Sequence, residues 1–428
     1  MISRRNFIKG TIAASALTII PRHVLGGTHF VAPSDQINIG FIGTGKQARE
    51  SLLPPFANRA RIIALCDVDQ TKLKRFQSEA EALYAKRGLD AKGMTLYGDF
   101  RELLQNKEVD GVVIATPDHW HAINLNEAAK AGKDIYCEKP FSHSIQEGRL
   151  MVDAVKKYQR VCQVGSMQRS WHNFWHAAQV VRNGFLGDID LIRVYTGGTY
   201  SVFPQPCNLP DQLCPETLNW DMWIGPARYR AYHEELAPSL KNDFWAKWRM
   251  YRDYGNGNIG DWGAHMFDII QWALDKDNSG PVAVMPSGKD YGHLSYLYDN
   301  GTRVVFEDFH RGRGVQFIGS KGTLTITREF YETTPTELKD YMFADREKTL
   351  YESTDHYTNW LECMKSRKDP VATAEIGHRT ATVGHLSIIA NRLKRTLRWD
   401  PKSEQFIGDE EANQLAKAYV RKPWSLEI

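Results

Sequence analysis

The chain has 428 residues, with 54 basic and 51 acidic side chains and a formal net charge of +3. Hydrophobic residues make up 42% and charged residues 25%, a balance that is typical of globular proteins and argues against a disordered or membrane-embedded chain. The near-neutral charge gives no electrostatic reason to expect a nucleic-acid partner, and the length predicts about two or three domains.

Residues 1–30 are expected to be a targeting segment rather than part of the fold. Residues 3–9 contain paired arginines, and a short apolar run follows at residues 11–20. This run is too short to span a bilayer, and the arginine pair resembles a twin-arginine signal, which exports proteins that have already folded. We therefore predict a periplasmic or exported protein without a stable membrane anchor.

Strands and helices alternate from residue 36 to residue 165. Continuous apolar strands separated by helices are typical of a parallel sheet that is covered on both faces. The pattern predicts a doubly wound nucleotide-binding domain over residues 36–165. The predicted strands are 37–42, 61–67, 109–116, 134–137 and 161–165, and the predicted helices are 71–87, 121–131 and 145–158.

The pattern changes after residue 165, and residues 166–428 are predicted to form a second α/β domain. Alternating strands without intervening helices indicate an antiparallel sheet. A long segment at residues 197–260 is rich in aromatic residues, Pro and Gly, and its rings suit either sugar binding or core packing. Residues 356–398 predict helices that return to the first domain. The predicted strands are 188–194, 294–298, 303–309, 315–319 and 323–327.

A glycine-rich turn follows the first predicted strand directly. Residues 43–48 have the spacing G-x-G-x-x-A, in which glycines let the backbone turn tightly and approach a pyrophosphate at a helix N-terminus. Asp67 ends the second strand, where a carboxylate can hydrogen-bond the adenosine ribose and repel a 2′-phosphate. The motif predicts NAD rather than NADP; the alternative is a tight turn without a ligand. The residues expected at the cofactor here are Gly43, Gly45, Lys46, Gln47 and Asp67.

Two further motifs carry candidate catalytic residues. The segment Glu138-Lys139-Pro140 ends the fourth strand, and ligands bind outside the carboxyl ends of parallel strands, so Lys139 is expected to face the nicotinamide. Asp261 and His265 are four positions apart and share one face of a helix. An imidazole there can take a proton while hydride leaves the same carbon. The alternatives are a solvated lysine and, for the second motif, a metal pair or a helix cap.

Together these motifs resemble the Gfo/Idh/MocA family of nicotinamide-dependent oxidoreductases. The resemblance runs from about residue 36 to the C-terminus and includes ATPDHWH at 115–121, EKP at 138–140, D-x-x-x-H at 261–265 and WIGP at 223–226. The C-terminal sequence is similar to that of an exported bacterial subgroup. The resemblance implies a Rossmann domain followed by an α/β domain with an open, mostly antiparallel sheet, which often forms the contact face of dimers or tetramers.

The resemblance also assigns roles to particular residues. Lys139 matches a catalytic lysine, His265 a proton-relay histidine and Asp261 a substrate-binding acid. The segment that lines the nicotinamide is matched by Thr116, Pro117 and His121, with Glu138 beside Lys139.

Some smaller features carry weaker predictions. Arg169 and Trp171 follow the last Rossmann strand and are expected to reach the substrate, although Arg169 is equally suited to a structural ion pair. His119 and His121 form an H-x-H, but no third ligand is visible at a useful spacing, so no metal is predicted. Cys207 and Cys214 lie in a Pro-rich loop and can pair in an oxidising compartment, which leaves their state open.

The predicted reaction is hydride transfer from a secondary alcohol of a sugar or polyol to NAD, giving a keto-sugar. A second hypothesis is a redox-neutral glycosidase that oxidises the sugar transiently, eliminates the aglycone, adds water and reduces the sugar again. A third is a sugar or nucleotide sensor without catalytic activity, which the presence of Lys139, Asp261 and His265 argues against. The expected partners are a small sugar or glycoside and further copies of the chain.

Overall fold

The computed structural model describes residues 36–89, 93–198, 200–242, 244–288 and 292–428. The targeting segment predicted for residues 1–30 lies outside them. Residues Asn38–Ile428 make up one contact unit, which contains both predicted domains. None of the helices in these described ranges is long and apolar enough to cross a membrane.

The first sheet is parallel, with six strands in the order β3-β2-β1-β4-β5-β6. This is the strand order of a dinucleotide-binding Rossmann domain, so the predicted fold class is confirmed. Strand β3 was not predicted, because it has only three residues and no buried side chain. The strands are β1 (Asn38–Ile42), β2 (Arg61–Cys66), β3 (Thr95–Tyr97), β4 (Gly111–Ile114), β5 (Asp134–Cys137) and β6 (Cys162–Val164).

The helices of the first domain begin at side chains that accept bonds from the first turn. Asp69, Asp99 and Ser144 each accept at least one backbone N–H there, which stabilises the helix start. The three predicted helices agree with the structure to within one residue at each end. The helical elements are a π-helical turn (Ala48–Leu52), α1 (Leu53–Ala57), α2 (Gln70–Lys86), α3 (Phe100–Gln105), α4 (His121–Lys130) and α5 (Ile145–Lys157).

The second sheet has nine strands in the order β13-β12-β11-β7-β10-β9-β8-β14-β15. Its pairs are antiparallel except β7 with β10, which are parallel. The helix prediction for residues 356–398 is wrong at its end, where Arg398 lies in a strand. The strands are β7 (Ile189–Tyr195), β8 (Ala283–Met285), β9 (Ser295–Leu297), β10 (Arg303–Phe306), β11 (Gly314–Gly319), β12 (Gly322–Thr327), β13 (Tyr331–Thr334), β14 (Leu397–Asp400) and β15 (Gln405–Phe406).

The second domain's helices cover its sheet and also reach the first domain. Helix α9 is buried along its whole length, and α11 packs against both α9 and α5. Just before α11, the Ala372 carbonyl accepts a 2.8 Å bond from Val164 N in β6. The helices are α6 (His172–Arg182), α7 (Trp220–Ile224), α8 (Gly257–Asp261), α9 (Gly263–Ala273), α10 (His356–Ser366), α11 (Ala374–Leu393) and α12 (Glu410–Leu415).

The aromatic segment at residues 197–260 has a small core of its own. Trp220 and Trp223 stack with their ring centroids 4.6 Å apart, and Trp248 and Tyr254 are buried beside them. These rings therefore pack a local core, and two of them, Trp223 and Trp248, also line the cavity described below. Short 3₁₀ turns lie here and elsewhere, at Asp118–Trp120, Met167–Ser170, Leu240–Asn242, Lys247–Met250, Thr336–Asp340 and Asp345–Glu347.

The cysteines predicted as a possible pair are both free thiols. The Arg230 guanidinium donates to Cys207 Sγ at 2.7 Å, and Cys214 Sγ lies 3.6 Å from the Leu218 carbonyl.

Candidate active site

A cavity of about 890 Å³ opens outside the carboxyl ends of the parallel strands. Residues that directly follow β1, β2, β4 and β5 form one wall, and residues 236–240 and 244–250, with α8 and α9, form much of the other. Ligands of doubly wound sheets bind at this edge. The cavity therefore lies where the sequence predicts both cofactor and substrate.

The glycine turn at the start of the cavity requires its glycines for two different reasons. Gly43 has φ = +91°, and a Cβ there would lie 2.8 Å from the Ala115 carbonyl carbon. A Cβ on Gly45 would meet no protein atom within 4 Å. Gly43 is thus required by its backbone conformation and by the close approach of another backbone segment, whereas Gly45 leaves space in the cavity for a ligand to approach the chain.

Asp67 lines the cavity and also holds the glycine turn. Its Oδ2 accepts bonds from Thr44 N at 2.7 Å and Thr44 Oγ1 at 2.9 Å, and its Oδ1 accepts one from Asp69 N at 2.9 Å. Burial raises the pKa of this carboxyl. Because Oδ1 accepts only one bond from the described residues, it retains acceptor capacity for a ribose hydroxyl.

The aromatic segment extends over the glycine turn. The Trp245 ring is 47% exposed, and Lys46 Nζ lies 5.7 Å from its centroid. Lys46, Gln47 and Trp245 all line the cavity. The Arg249 guanidinium lies 5.3 Å from the same ring, so the Trp245 side chain lies between the glycine turn and the interior of the cavity. We call residues 236–242 and 244–250 the strap.

The segment after β4 is built as predicted, except for its histidine. Thr116 and Pro117 line the cavity. His121 does not, which makes its prediction as a cofactor contact wrong. Its buried ring contacts the Pro140 carbonyl at 2.8 Å and the Thr116 carbonyl at 3.0 Å. His121 therefore connects the segments that follow two neighbouring strands, β4 and β5.

Glu138 is buried at the cavity wall. Its Oε2 accepts a 3.2 Å bond from Lys139 N, and burial raises the pKa of the carboxyl. Its Oε1 has no hydrogen-bond partner among the described residues. A buried acceptor without a partner is costly, so this atom suits a polar group of a ligand, and it lies where a nicotinamide cofactor is expected.

Lys139 reaches across the cavity to the second domain. Its ammonium contacts Asp261 Oδ1 and lies 3.3 Å from the Asp261 carbonyl oxygen. Tyr200 donates its hydroxyl proton to Oδ2 of the same carboxylate, and Arg249 Nε lies 3.8 Å from it. Although burial opposes ionisation, these contacts, led by the charge of Lys139, hold the pKa of Asp261 below its usual range.

His265 is 4% exposed and lines the same cavity. Asp261 ends α8 and His265 lies in α9, so the two residues lie on consecutive helices rather than on one. Burial, together with the charges of Lys139 and Arg328, lowers the pKa of His265 well below its usual value. The imidazole is therefore neutral at pH 7 and can accept a proton.

Asp118 is a further acid in the cavity. It follows Pro117 and is 3% exposed. Burial and the neighbouring charge of Asp261 raise the pKa of Asp118 to about 8. At pH 7 most of these carboxyls are protonated, so Asp118 can donate a hydrogen bond into the cavity.

The two remaining predicted substrate contacts lie outside the cavity lining. Arg169 is 1% exposed and forms ion pairs with Asp268 at 2.8 Å and Asp277 at 2.6 Å. Its predicted substrate contact is therefore wrong, since a buried guanidinium needs these carboxylates to offset its desolvation. Trp171 is 37% exposed, and its ring lies 5.2 Å from the guanidinium of Arg328, which does line the cavity.

The H-x-H motif also has a structural explanation. The His119 ring contacts the Trp223 carbonyl at 3.1 Å and the Tyr254 carbonyl at 3.4 Å. Within the described ranges, no three His, Cys, Asp or Glu side chains lie close enough together to bind a metal ion.

Sequence reasoning missed many of the residues that line the cavity, including six polar or aromatic ones whose contacts are described here or below. Most of them come from long loops or from turns at strand ends, where no short motif marks them. The DHW within the quoted ATPDHWH was the one available signal, because it placed an acid directly after a strand end. These six residues are Asp118, Tyr200, Trp245, Arg249, Arg313 and Arg328.

Proteins similar in sequence include an oxidoreductase and a glycosidase. The uncharacterized oxidoreductase YrbE of Bacillus subtilis (strain 168) is 28% identical over 316 residues, which cover 73% of this chain and 80% of the relative. Glycosyl hydrolase family 109 protein 2 of Shewanella sp. (strain ANA-3) is 30% identical over 208 residues, which cover 44% of each chain. The match thus spans less than half of the glycosidase.

Solved structures share the fold at low sequence identity. The WlbA dehydrogenase of Bordetella pertussis, in complex with NADH and UDP-GlcNAcA, has a TM-score of 0.57 at 15% identity, covering 85% of this chain and 99% of that one. Aldose-aldose oxidoreductase of Caulobacter crescentus has a TM-score of 0.57 at 19% identity, with the same coverage of 85% and 99%.

Two family models match most of the chain. Residues 37–166 match the NAD-binding Rossmann fold of the Gfo/Idh/MocA oxidoreductase family. Residues 176–426 match the C-terminal alpha/beta domain of the same family. The chain, whose glycine turn and Lys139–Asp261 contact meet in one cavity, belongs to the Gfo/Idh/MocA family of nicotinamide-dependent oxidoreductases.

Proposed function

We propose that the protein oxidises a secondary alcohol of a sugar or polyol to a ketone with NAD. The observation that carries this proposal is the contact of Lys139 with Asp261 beside a buried, neutral His265, in the cavity that begins at the glycine turn. A base, a cation and a carboxylate at one point are the groups that alcohol oxidation requires.

Each of the three residues has a defined part in the reaction. His265 accepts the proton of the substrate hydroxyl, and the C–H electron pair of the same carbon leaves as hydride. When bound, the nicotinamide supplies the hydride acceptor. The Lys139 ammonium stabilises negative charge that develops on the substrate oxygen, and Asp261 positions the lysine and accepts a second hydroxyl.

We propose NAD rather than NADP as the cofactor. The support is Asp67, a carboxylate at the end of β2 that lines the cavity and would repel a 2′-phosphate. Lys72, which also lines this part of the cavity, lies 3.5 Å from Asp69, and this pairing offsets its charge. We expect the dissociation constant of NADPH to exceed that of NADH by about tenfold or more, measured by nicotinamide fluorescence; equal constants would contradict the assignment.

The test of the reaction is a screen of sugars and polyols that follows the absorbance of the reduced cofactor. We expect reduction of NAD⁺ by at least one of these compounds. A His265→Asn variant, which removes the base but retains a similar side-chain size, should bind NADH normally and lose that activity. A wild-type rate in this variant would contradict the assignment of the base.

The relatives of glycosyl hydrolase family 109 support a second candidate, a redox-neutral glycosidase. The same residues would oxidise the sugar transiently, and the ketone would acidify the neighbouring C–H so that the aglycone is eliminated before water is added and the ketone is reduced again. Incubation with a nitrophenyl glycoside and no added NAD⁺ distinguishes the glycosidase from the dehydrogenase. Sustained nitrophenol release favours the glycosidase, whereas NADH accumulation with a free sugar favours the dehydrogenase.

We also propose that the protein is exported by the twin-arginine pathway. The paired arginines Arg4 and Arg5 support this proposal. In a bacterial host, the protein should be recovered from the periplasm, and replacement of both arginines by lysine should retain it in the cytoplasm.

A homo-oligomer built on the second sheet is proposed from the family resemblance. Half-buried apolar side chains on its strands, including Leu191 and Ile318, support a contact there. Light scattering should give at least twice the monomer mass of 48.9 kDa.

A further inference from the structure

Two arginines face each other across the end of a β-hairpin in the second domain. Strands β11 and β12 are antiparallel, and Gly314 pairs with Thr327 at their end. Arg313 directly precedes Gly314 and Arg328 directly follows Thr327, so the two arginines flank this end of the strand pair. Like charges at opposite positions of a strand pair are destabilising, so this arrangement needs a compensating interaction.

Trp262 offsets part of this repulsion. The Arg313 guanidinium lies 3.8 Å from the centroid of the Trp262 ring, and the Arg328 guanidinium lies 4.8 Å from it. Arg313 Nε also donates a 3.2 Å bond to the Thr196 carbonyl, and Arg328 Nε donates a 2.9 Å bond to Gln168 Oε1. These contacts orient both side chains, and the Gln168 amide that holds Arg328 is uncharged.

No carboxylate neutralises Arg328 directly. Within the part of the chain that the structure describes, no Asp or Glu oxygen lies within 4 Å of its guanidinium nitrogens. The two oxygens of Asp261, an acid that also lines the cavity, already contact Lys139 and Tyr200. Burial and the charge of Arg313 lower the pKa of Arg328, and the charges of Glu329 and Asp261 offset only part of this shift.

Both arginines line the cavity beside Lys139, Asp261 and His265. They are therefore placed at the reacting end of the cavity, whereas the glycine turn is formed by residues after β1. A guanidinium group binds carboxylates and phosphates through parallel N–H donors, which makes an arginine pair a strong receptor for an oxyanion.

We propose that Arg328 and Arg313 form a subsite for an oxyanion group on the substrate, so that the protein acts on acidic sugars. This inference rests on the proposed sugar oxidation. A sugar carboxylate and a sugar phosphate present the same chemistry to the two guanidinium groups. The bound anion gives Arg328 the direct contact with an oxyanion that it lacks among the described residues, and the rest of the ring extends toward His265.

The test compares glucuronate, glucose 6-phosphate and glucose as substrates and as ligands. We expect kcat/KM for one of the two anionic sugars to exceed that for glucose by about 10- to 100-fold, the size of one charge-assisted hydrogen bond or more. The Arg328→Gln variant should lose this preference, so that the ratio of kcat/KM for the anionic sugar to kcat/KM for glucose falls toward one. Equal or better use of glucose by the wild-type protein would overturn the proposal.

Arg311→Gln is the matched control, because Arg311 lies on the same hairpin end, is exposed, and stacks on Phe330 at 4.9 Å outside the cavity. This variant should keep the preference. Both variants should retain the wild-type affinity for NADH and the wild-type melting temperature, which shows that they are folded. Loss of the preference in both variants would contradict a specific subsite.

Direct binding separates this inference from the proposed function. Quenching of tryptophan fluorescence in the NADH-loaded protein reports sugar binding without turnover. Tighter binding of an anionic sugar that depends on Arg328, without any turnover, would support the subsite and contradict the proposed reaction. Oxidation of glucose together with no preferential binding of either anionic sugar would contradict the subsite and leave the reaction intact.

Discussion

The two ends of the cavity are built in different ways. The cofactor end comes from one continuous stretch, residues 43–67, which forms a strand end, a turn, a helix and the next strand. The substrate end combines Lys139 from the first domain with Asp261, Arg313 and Arg328 from three separate places in the second. One end is thus a local structure, and the other exists only when the two domains pack together.

This difference determines which physical effect dominates at each end. At the glycine turn, the backbone conformation and the space left by missing side chains decide whether a ligand fits. At the substrate end, buried charges determine whether a ligand binds, because Lys139, Tyr200 and Arg249 surround the carboxylate of Asp261. Substitutions at the two ends should therefore have separable consequences for turnover and for cofactor binding.

The largest effect is expected at the substrate end. Lys139→Ala removes the cation that stabilises the developing alkoxide, and kcat/KM should fall by about 10²- to 10⁴-fold. The dissociation constant of NADH should change by less than about threefold, since the glycine turn is untouched. Steady-state kinetics and nicotinamide fluorescence measure the two quantities. A comparable loss of kcat/KM and of affinity for NADH would contradict the separation of the two ends.

At the cofactor end, two glycines two positions apart should give opposite results. Gly45→Val places its side chain in the open space of the cavity, so NADH should bind at least about tenfold more weakly while the free energy of unfolding stays the same. Gly43→Ala puts a Cβ 2.8 Å from the Ala115 backbone at φ = +91°. It should lower the free energy of unfolding by about 1–3 kcal/mol. Denaturant titration and NADH binding on both variants check this contrast; equal stability losses would refute it.

Acid should weaken the fold through histidines that are buried in the neutral form. Burial lowers the pKa of His121 to about 4 and that of His356 to about 4. Below the ordinary value of about 6.5, the unfolded chain binds protons that the folded chain does not. The contribution of these neutral histidines to the free energy of unfolding is therefore fully present above pH 6.5. It is lost as the pH drops toward 4, and at pH 5 the loss is about 2 kcal/mol per histidine. Urea unfolding at pH 7.5 and pH 5 measures this, and His121→Gln should reduce the difference.

The smallest effect is expected from the strap. Trp245→Ala removes a half-exposed ring that lies over Lys46. A cation–π contact at such a site contributes about 0.5–1 kcal/mol, so NADH should bind about two- to fivefold more weakly. The matched control is Tyr229→Ala, since Tyr229 is 64% exposed and lies outside the cavity. An equal change in the control would show that the strap does not contact the cofactor.

The difference between the two ends also explains what the sequence could predict. Gly43, Gly45 and Asp67 were found because strand, turn and carboxylate follow one another at short spacing. Lys139, Asp261 and His265 were found from short motifs, but only the fold shows that the first two touch. Arg328 was missed because a turn after a strand gives no signal of what lies opposite it.

The errors have a physical origin as well. Arg169 directly follows the last Rossmann strand and therefore occupies a position typical of a substrate contact. Its ion-pair partners, Asp268 and Asp277, lie about 100 residues later in the chain. No local sequence pattern predicts ion pairs over this separation. The short strands β3 and β15 were missed because they contain too few residues to show an alternation.

The most direct test of the central claim is a crystal structure of the protein with NADH. We predict that the pyrophosphate lies at Gly43 and Gly45 and that the nicotinamide ring lies beside Lys139, on the side that faces His265. A cofactor bound outside this cavity, or a nicotinamide ring separated from both side chains, would contradict the account.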